Sequence, residues 1–205
     1  GLPQTEGYRR YAARGRPFVV WNVVAAPEFS VQPVLSCFPF AGCVSYRGFF
    51  DRKDAERHAA ALAGEGHDVY IGGVPAYSTL GWFDDPMLSS FVRYPDTELA
   101  RLIFHELAHQ VVYVKDDTVF NESFAGAVEE EGVRRWVASQ AGSPDHGRLL
   151  AELEQSSRQR AAFRRLVRQT RSELAELYAS HASEAEKLAG KAQAFAAMRS
   201  AFDRA

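Results

Sequence analysis

The sequence is short of cysteine, net charge and long apolar runs, and each scarcity narrows what it can be. Lysine and arginine nearly balance aspartate and glutamate, leaving a formal net charge of -2 over 205 residues. That balance gives no reason to expect nucleic acid or an anionic membrane as partner. No run of about 18 apolar residues occurs, which excludes a membrane-spanning helix. There is no internal repeat, no low-complexity tract and no leader pattern. Because the chain opens GLPQTEGYRRY and stops at AFDRA, it is expected to be an excerpt of a longer protein. What remains, 46% hydrophobic and 24% charged residues, is ordinary for a water-soluble globular domain with an appended helical piece.

The two cysteines, Cys37 and Cys43, flank Pro39 and Gly42 in SCFPFAGCVSY. Five intervening residues suit either a small disulfide-closed loop or two buried thiols beside a turn. Around them, β-branched and aromatic density predicts a strand over 17–29 and a second over 42–50. Asp51 is placed to cap a helix that Gly64 and Gly66 end. Strand composition returns over 68–80, with Pro75 suited to an edge because proline donates nothing to a ladder. A loop with a short helical turn follows.

Asp96 is read as the cap of the next helix, with Leu99, Ile103, Leu107 and Val111 as its buried stripe at helical spacing. KDDT breaks the pattern, and a second helix runs from about Asn121, its expected cap, to Gln140. AGSPDHG is a connector. From 148 onward, Ala, Glu, Arg and Leu at helical spacing predict a long arm, bent around Ser180–Ser183 or Gly190. The expected organisation is α+β: a domain over 1–140 and a helical arm over 141–205.

The chemistry concentrates in FHELAHQ. Residues four apart share a helix face, so His105 and His109 can aim at one ion. Glu106, one step round, suits a base that takes a proton from water. Two core histidines satisfied by backbone carbonyls are the plainer alternative. A catalytic zinc ordinarily has three protein ligands and an open position. No HxxGxxH supplies a third histidine, but Glu122 in NESFA can face the first helix. Glu129, seven residues on, suits an acceptor for an imidazole N–H, whereas Glu130 and Glu131 read as a solvated face.

HELAH followed by NESFA resembles the gluzincin metallopeptidases. More specifically, RPFVVWNVVAAPEFS, CFPFAGCVSYRGFF, AYSTLGWFDDP, FHELAHQ and NESFAGAVEEEG resemble a bacterial family of predicted zinc aminopeptidases. The resemblance implies a zincin-like fold, a small mixed sheet over two active-site helices, with Zn2+ held by His105, His109 and Glu122 and with Glu106 as base. It also implies an exported protein of the periplasm or cell envelope, anchored as a lipoprotein by a segment outside this excerpt, which fits a Cys37–Cys43 bridge. The twelve-residue gap from His109 to Glu122 is shorter than in the large aminopeptidase family, and the G-A-M-E-N exopeptidase motif is missing.

The expected activity is zinc-dependent hydrolysis of N-terminal peptide bonds. A zinc endopeptidase, or a non-catalytic zinc scaffold whose arm binds a partner, are the rivals. Tyr113 and Tyr77 are candidates to stabilise the developing oxyanion, each against a structural role. Ala76, Tyr77 and Ser78 lie in AYST, which can pair with an extended peptide by strand addition. Asp84, Asp85 or Glu129 can neutralise a substrate amine, although Asp84 and Asp85 also suit a turn. Trp82 and Phe83 suit an apolar subsite or core packing.

Overall fold

The computed structural model describes residues 6–13, 15–38, 42–76, 79 and 83–204. It is a mixed α/β molecule of small sheets and five helices. The central strand is β2 (Val20–Pro27). It pairs antiparallel with β5 (Arg47–Phe49) on one side and β6 (His67–Val74) on the other. Side chains alternate between faces of a strand. Trp21 and Val23 therefore turn with Phe49, Val69 and Ile71 toward Ala55 and Ala59 of α1 (Arg52–Gly64). Helix α1 begins where Asp51 accepts a hydrogen bond from the Lys53 amide. It ends before Gly66, whose φ of +84° suits a residue without Cβ.

The opposite face of β2 presents Val20 and Asn22. Val20 joins Val19, Ala76, Leu88 and Phe91 in a second core, against which Leu99 and Leu102 of α2 (Asp96–Val111) pack. The strand expected to reach residue 80 ends at Val74. Within the expected second strand, β4 (Gly42–Val44) and β5 are separate. Strand β4 pairs instead with β3 (Ser36–Phe38), and Cys37 and Cys43 are joined by a disulfide across that hairpin. Further on, β7 (Met87–Leu88) pairs in parallel with β1 (Tyr11–Ala12).

Two expectations for α2 fail. Asp96 makes no capping bond and pairs instead with Arg148 at 2.8 Å, leaving Pro95 at the cap position. The buried residues are Thr97, Arg101, Ala108 and His109, while Val111 is 49% exposed. The helix has neighbours on several sides, so its burial does not follow its apolar stripe.

Helix α3 (Thr118–Ser139) is capped by Asp117, which accepts from the Phe120 amide. Asn121, expected as cap, lies inside the first turn. Its buried carboxamide clasps Val114, accepting from the amide and donating to the carbonyl at 2.7 Å each. Small residues bring α2 and α3 together. Ala108 and Ala125 are fully buried, and a Cβ at Gly132 would lie 2.7 Å from Cγ of Phe104.

The C-terminal residues form α4 (His146–Ala179) and α5 (Glu184–Phe202). The chain breaks at 180–183, where Ser183 and Glu186 build a capping box. Gly190 lies inside α5, where a Cβ would meet Leu177 at 2.7 Å. That contact and the Phe163–Phe202 ring pair make the two helices an antiparallel hairpin. Helix α4 packs onto the preceding helices through Leu149, buried with Val133 and Val137.

Candidate metal centre

Helix α2 points His105 and His109 to one side, and the first turns of α3 bring Glu122 to meet them. The two Nε2 atoms are 3.2 Å apart. Glu122 approaches His105 Nε2 at 3.3 Å and His109 Nε2 at 3.8 Å. One ligand atom from each residue lies within 4.8 Å of the others, an arrangement able to hold a metal ion.

Behind the cluster, Nδ1 of His105 is 2.9 Å from Glu129 Oε2. Donation from Nδ1 to that carboxylate leaves the Nε2 lone pair directed at the cluster. Glu129 is backed in turn by Arg101 at 3.5 Å, and Arg101 faces Glu98 at 3.9 Å. Arg160 of α4 pairs with Glu98, so a line of alternating charge runs from the C-terminal hairpin to His105. His109 has no such support, because its Nδ1 is buried with no hydrogen-bond partner among the described residues.

The cluster attracts positive charge. Burial disfavours the His105 imidazolium, yet the hydrogen bonds to Glu122 and Glu129 and the nearby Glu106 outweigh it, pushing its pKa up to about 10. Glu122 is lowered by its hydrogen bond with His105. His109 is lowered by burial and by the charge of His105, against the pull of Glu122. Glu106 moves the other way. Burial, together with the carboxylates of Glu122, Asp85 and Glu129, pushes it up to about 7 despite the opposing charge of His105. A carboxylate with that pKa is matched to proton transfer at neutral pH.

A cleft of about 550 Å³ opens beside these groups, lined by His105, Glu106, His109, Tyr113 and Glu122 on one wall. Ala76 and β2 side chains form the other, and Phe38 and Val44 of the β3–β4 hairpin also line it. That hairpin is fastened to the α2–α3 connector by the Cys43 amide, which donates to Asp116 at 2.8 Å. Gly42 permits the approach, since a Cβ there would overlap the Asp116 carboxylate.

The structure thus gathers His105, Glu106, His109, Glu122, Glu129, Tyr113 and Ala76 around one region. Tyr77, Ser78 and Trp82 lie outside the described residues. Asp84 is exposed and does not line the cleft. Asp85 is buried, accepting from the Thr79 amide and hydroxyl at 2.8 and 3.1 Å, which is the turn role anticipated for it. Phe83 is 74% exposed, so it is not core. Sequence reasoning missed Arg101, whose signal was a charge one turn before His105. It also missed Tyr8, whose phenol is buried without a hydrogen-bond partner among the described residues. Burial and the charges of Glu106 and Asp85 raise the pKa of that phenol.

A histidine pair one turn apart and a carboxylate from the next helix form a group that could hold a metal ion, with Glu106 lining the same cleft. The chain belongs to the family described as "Putative aminopeptidase", whose model matches residues 1–205. That description supports a peptidase. No curated protein and no solved structure matches the chain.

Proposed function

We propose that the protein is a zinc-dependent aminopeptidase in which His105, His109 and Glu122 hold the metal. The observation that carries this reading is the spacing of the three side chains. Ligands about 2.0–2.1 Å from a tetrahedral zinc stand about 3.3 Å from one another. The two Nε2 atoms are 3.2 Å apart, one Glu122 carboxylate oxygen is 3.3 Å from His105 and the other is 3.8 Å from His109, so a metal needs only a small adjustment of Glu122. Two imidazoles and one carboxylate are also a recurring donor set of catalytic zinc, with a position left for water.

Zinc, when bound, supplies a Lewis acid that polarises the peptide carbonyl and acidifies water. The remaining work belongs to the chain. Glu129 orients His105 through Nδ1. Glu106 takes a proton from the attacking water and returns it to the departing amine. Tyr113, which lines the cleft as Tyr46 also does, is assigned the role of donor to the developing oxyanion. The Cys37–Cys43 disulfide supports an oxidising compartment, in keeping with export.

Metal analysis and hydrolysis of free-amine against acetylated peptides test the proposal. Purified protein should carry one zinc, cleave the free-amine members and stop on chelation. Glu106→Gln should retain zinc and lose about 10²–10⁴-fold in rate. Full activity in that variant removes Glu106 from its role. Cleavage confined to acetylated members replaces the exopeptidase with an endopeptidase.

A further inference from the structure

The wall facing the ligand cluster has a composition of its own. Val20 and Asn22 lie on one face of β2, and Val74 is opposite Val20 in the register. Asn22 is opposite Gly48 on β5 and Gly72 on β6. A polar residue at the centre of the sheet is therefore flanked by two residues without side chains. The notch is tight at Gly48, where a Cβ would stand 3.1 Å from Val20 Cγ1 and 3.2 Å from Asn22 Oδ1. The Asn22 side chain lines the cleft. Beside it, Val20, Phe50, Val74 and Ala76 line the cleft together with Phe38 and Val44, and Tyr46 adds a phenol. A mostly apolar pocket wall with a few placed polar groups is the usual form of a specificity site.

We propose that this wall is the subsite that selects the substrate, accepting a large aliphatic or aromatic side chain beside the scissile bond. The Asn22 carboxamide oxygen accepts from the free amine of that same residue. The inference rests on the peptidase reading above. It adds to it the substrate class, apolar amino-terminal residues. Charged side chains meet no complementary group on this wall, so they enter at the cost of desolvation. The carboxamide oxygen is an acceptor, matching the N–H donors of a free amine.

The test uses metal-loaded protein and a series of aminoacyl-coumarins carrying Leu, Phe, Ala, Lys or Glu. Specificity constants for Leu and Phe should exceed Ala by about tenfold or more, with Lys and Glu lower still. Phe38→Ala, at a 39% exposed position, should shrink the Leu-to-Ala ratio. Gly48→Val, which fills the notch, should shrink it further. Asn22→Ala should lower every member by a similar factor. Calorimetry with leucinamide, alaninamide and lysinamide supplies a readout independent of turnover, and leucinamide should bind tightest. A charged preference, a flat series or an unchanged ratio in Phe38→Ala overturns the subsite. Absence of any hydrolysis overturns the peptidase reading instead, and amide binding then decides the subsite alone.

Discussion

Glu129 and Glu131 stand two residues apart on α3 and share a side-chain type, yet they belong to different electrostatic worlds. Glu129 turns inward, its side chain 18% exposed, between His105 and an Arg101 side chain only 5% exposed. Glu131 turns outward, gripping Arg134 and Arg135 at 2.7 and 2.6 Å where all three side chains are well exposed. The outer contacts are shorter, but the inner ones are buried. Exposed charges are hydrated and screened whether or not they touch. A buried guanidinium depends on its partners because water does not replace them. Distance alone therefore misranks these two clusters, and three substitutions can break or sharpen the contrast.

The largest effect is expected at Arg101. Replacing it with Met keeps most of the volume but strips Glu129 and Glu98 of their buried counter-ion. Breaking one partner of a buried pair typically costs about 3–5 kcal/mol of folding free energy. Urea unfolding of metal-free Arg101→Met should register a loss in that range. A loss under about 1 kcal/mol, the range of surface pairs, would merge the two clusters into one class.

Glu129→Gln comes next and is read through the metal rather than through stability. The carboxamide oxygen still accepts from His105 Nδ1, but it no longer carries charge. Loss of such an orienting partner costs about 10–100-fold in metal affinity. Competition with a chromogenic zinc chelator measures it. Unchanged affinity would leave Glu129 as packing.

How much of this was legible beforehand depended on whether the deciding contact was local. His105, His109 and Glu106 follow from helical spacing, and Asp51 capping α1 needs only its neighbours. Glu122 was expected from the NESFA segment, and Glu129 from the seven residues, about two helix turns, that return it to nearly the same face. Arg101 was not, since its burial is created by α3 and by Glu98 reaching toward Arg160, 62 residues away in sequence. Asn121 read as a cap because Asn usually caps. Asp117 took that place, and Asn121 instead fastens Val114. The stripe through Val111 failed for a related reason. Helix α2 meets a core cluster through Leu99 and Leu102 and further partners through Arg101 and Ala108, so hydrophobicity did not predict which face was hidden. The notch around Asn22 was invisible, because Gly48 and Gly72 become its flanks only once β5 and β6 are in register.

The smallest effect is expected at Glu131, where the electrostatics invite the opposite guess. Hydrogen bonds from Arg134 and Arg135 hold its pKa down to about 2. A lowered carboxylate pKa contributes stability that is present above the ordinary value of about 4.5 and fades as pH falls toward 2. Taken at face value, such a shift would make Glu131 a main support of α3. Full hydration argues otherwise, since solvent and salt screen the same charges in folded and unfolded chains. Glu131→Gln should leave the neutral-pH unfolding midpoint unchanged at physiological ionic strength, with a small decrease emerging only at low salt. A salt-independent loss comparable to that of Arg101→Met would show that contact geometry, rather than burial, sets the worth of an ion pair on this helix.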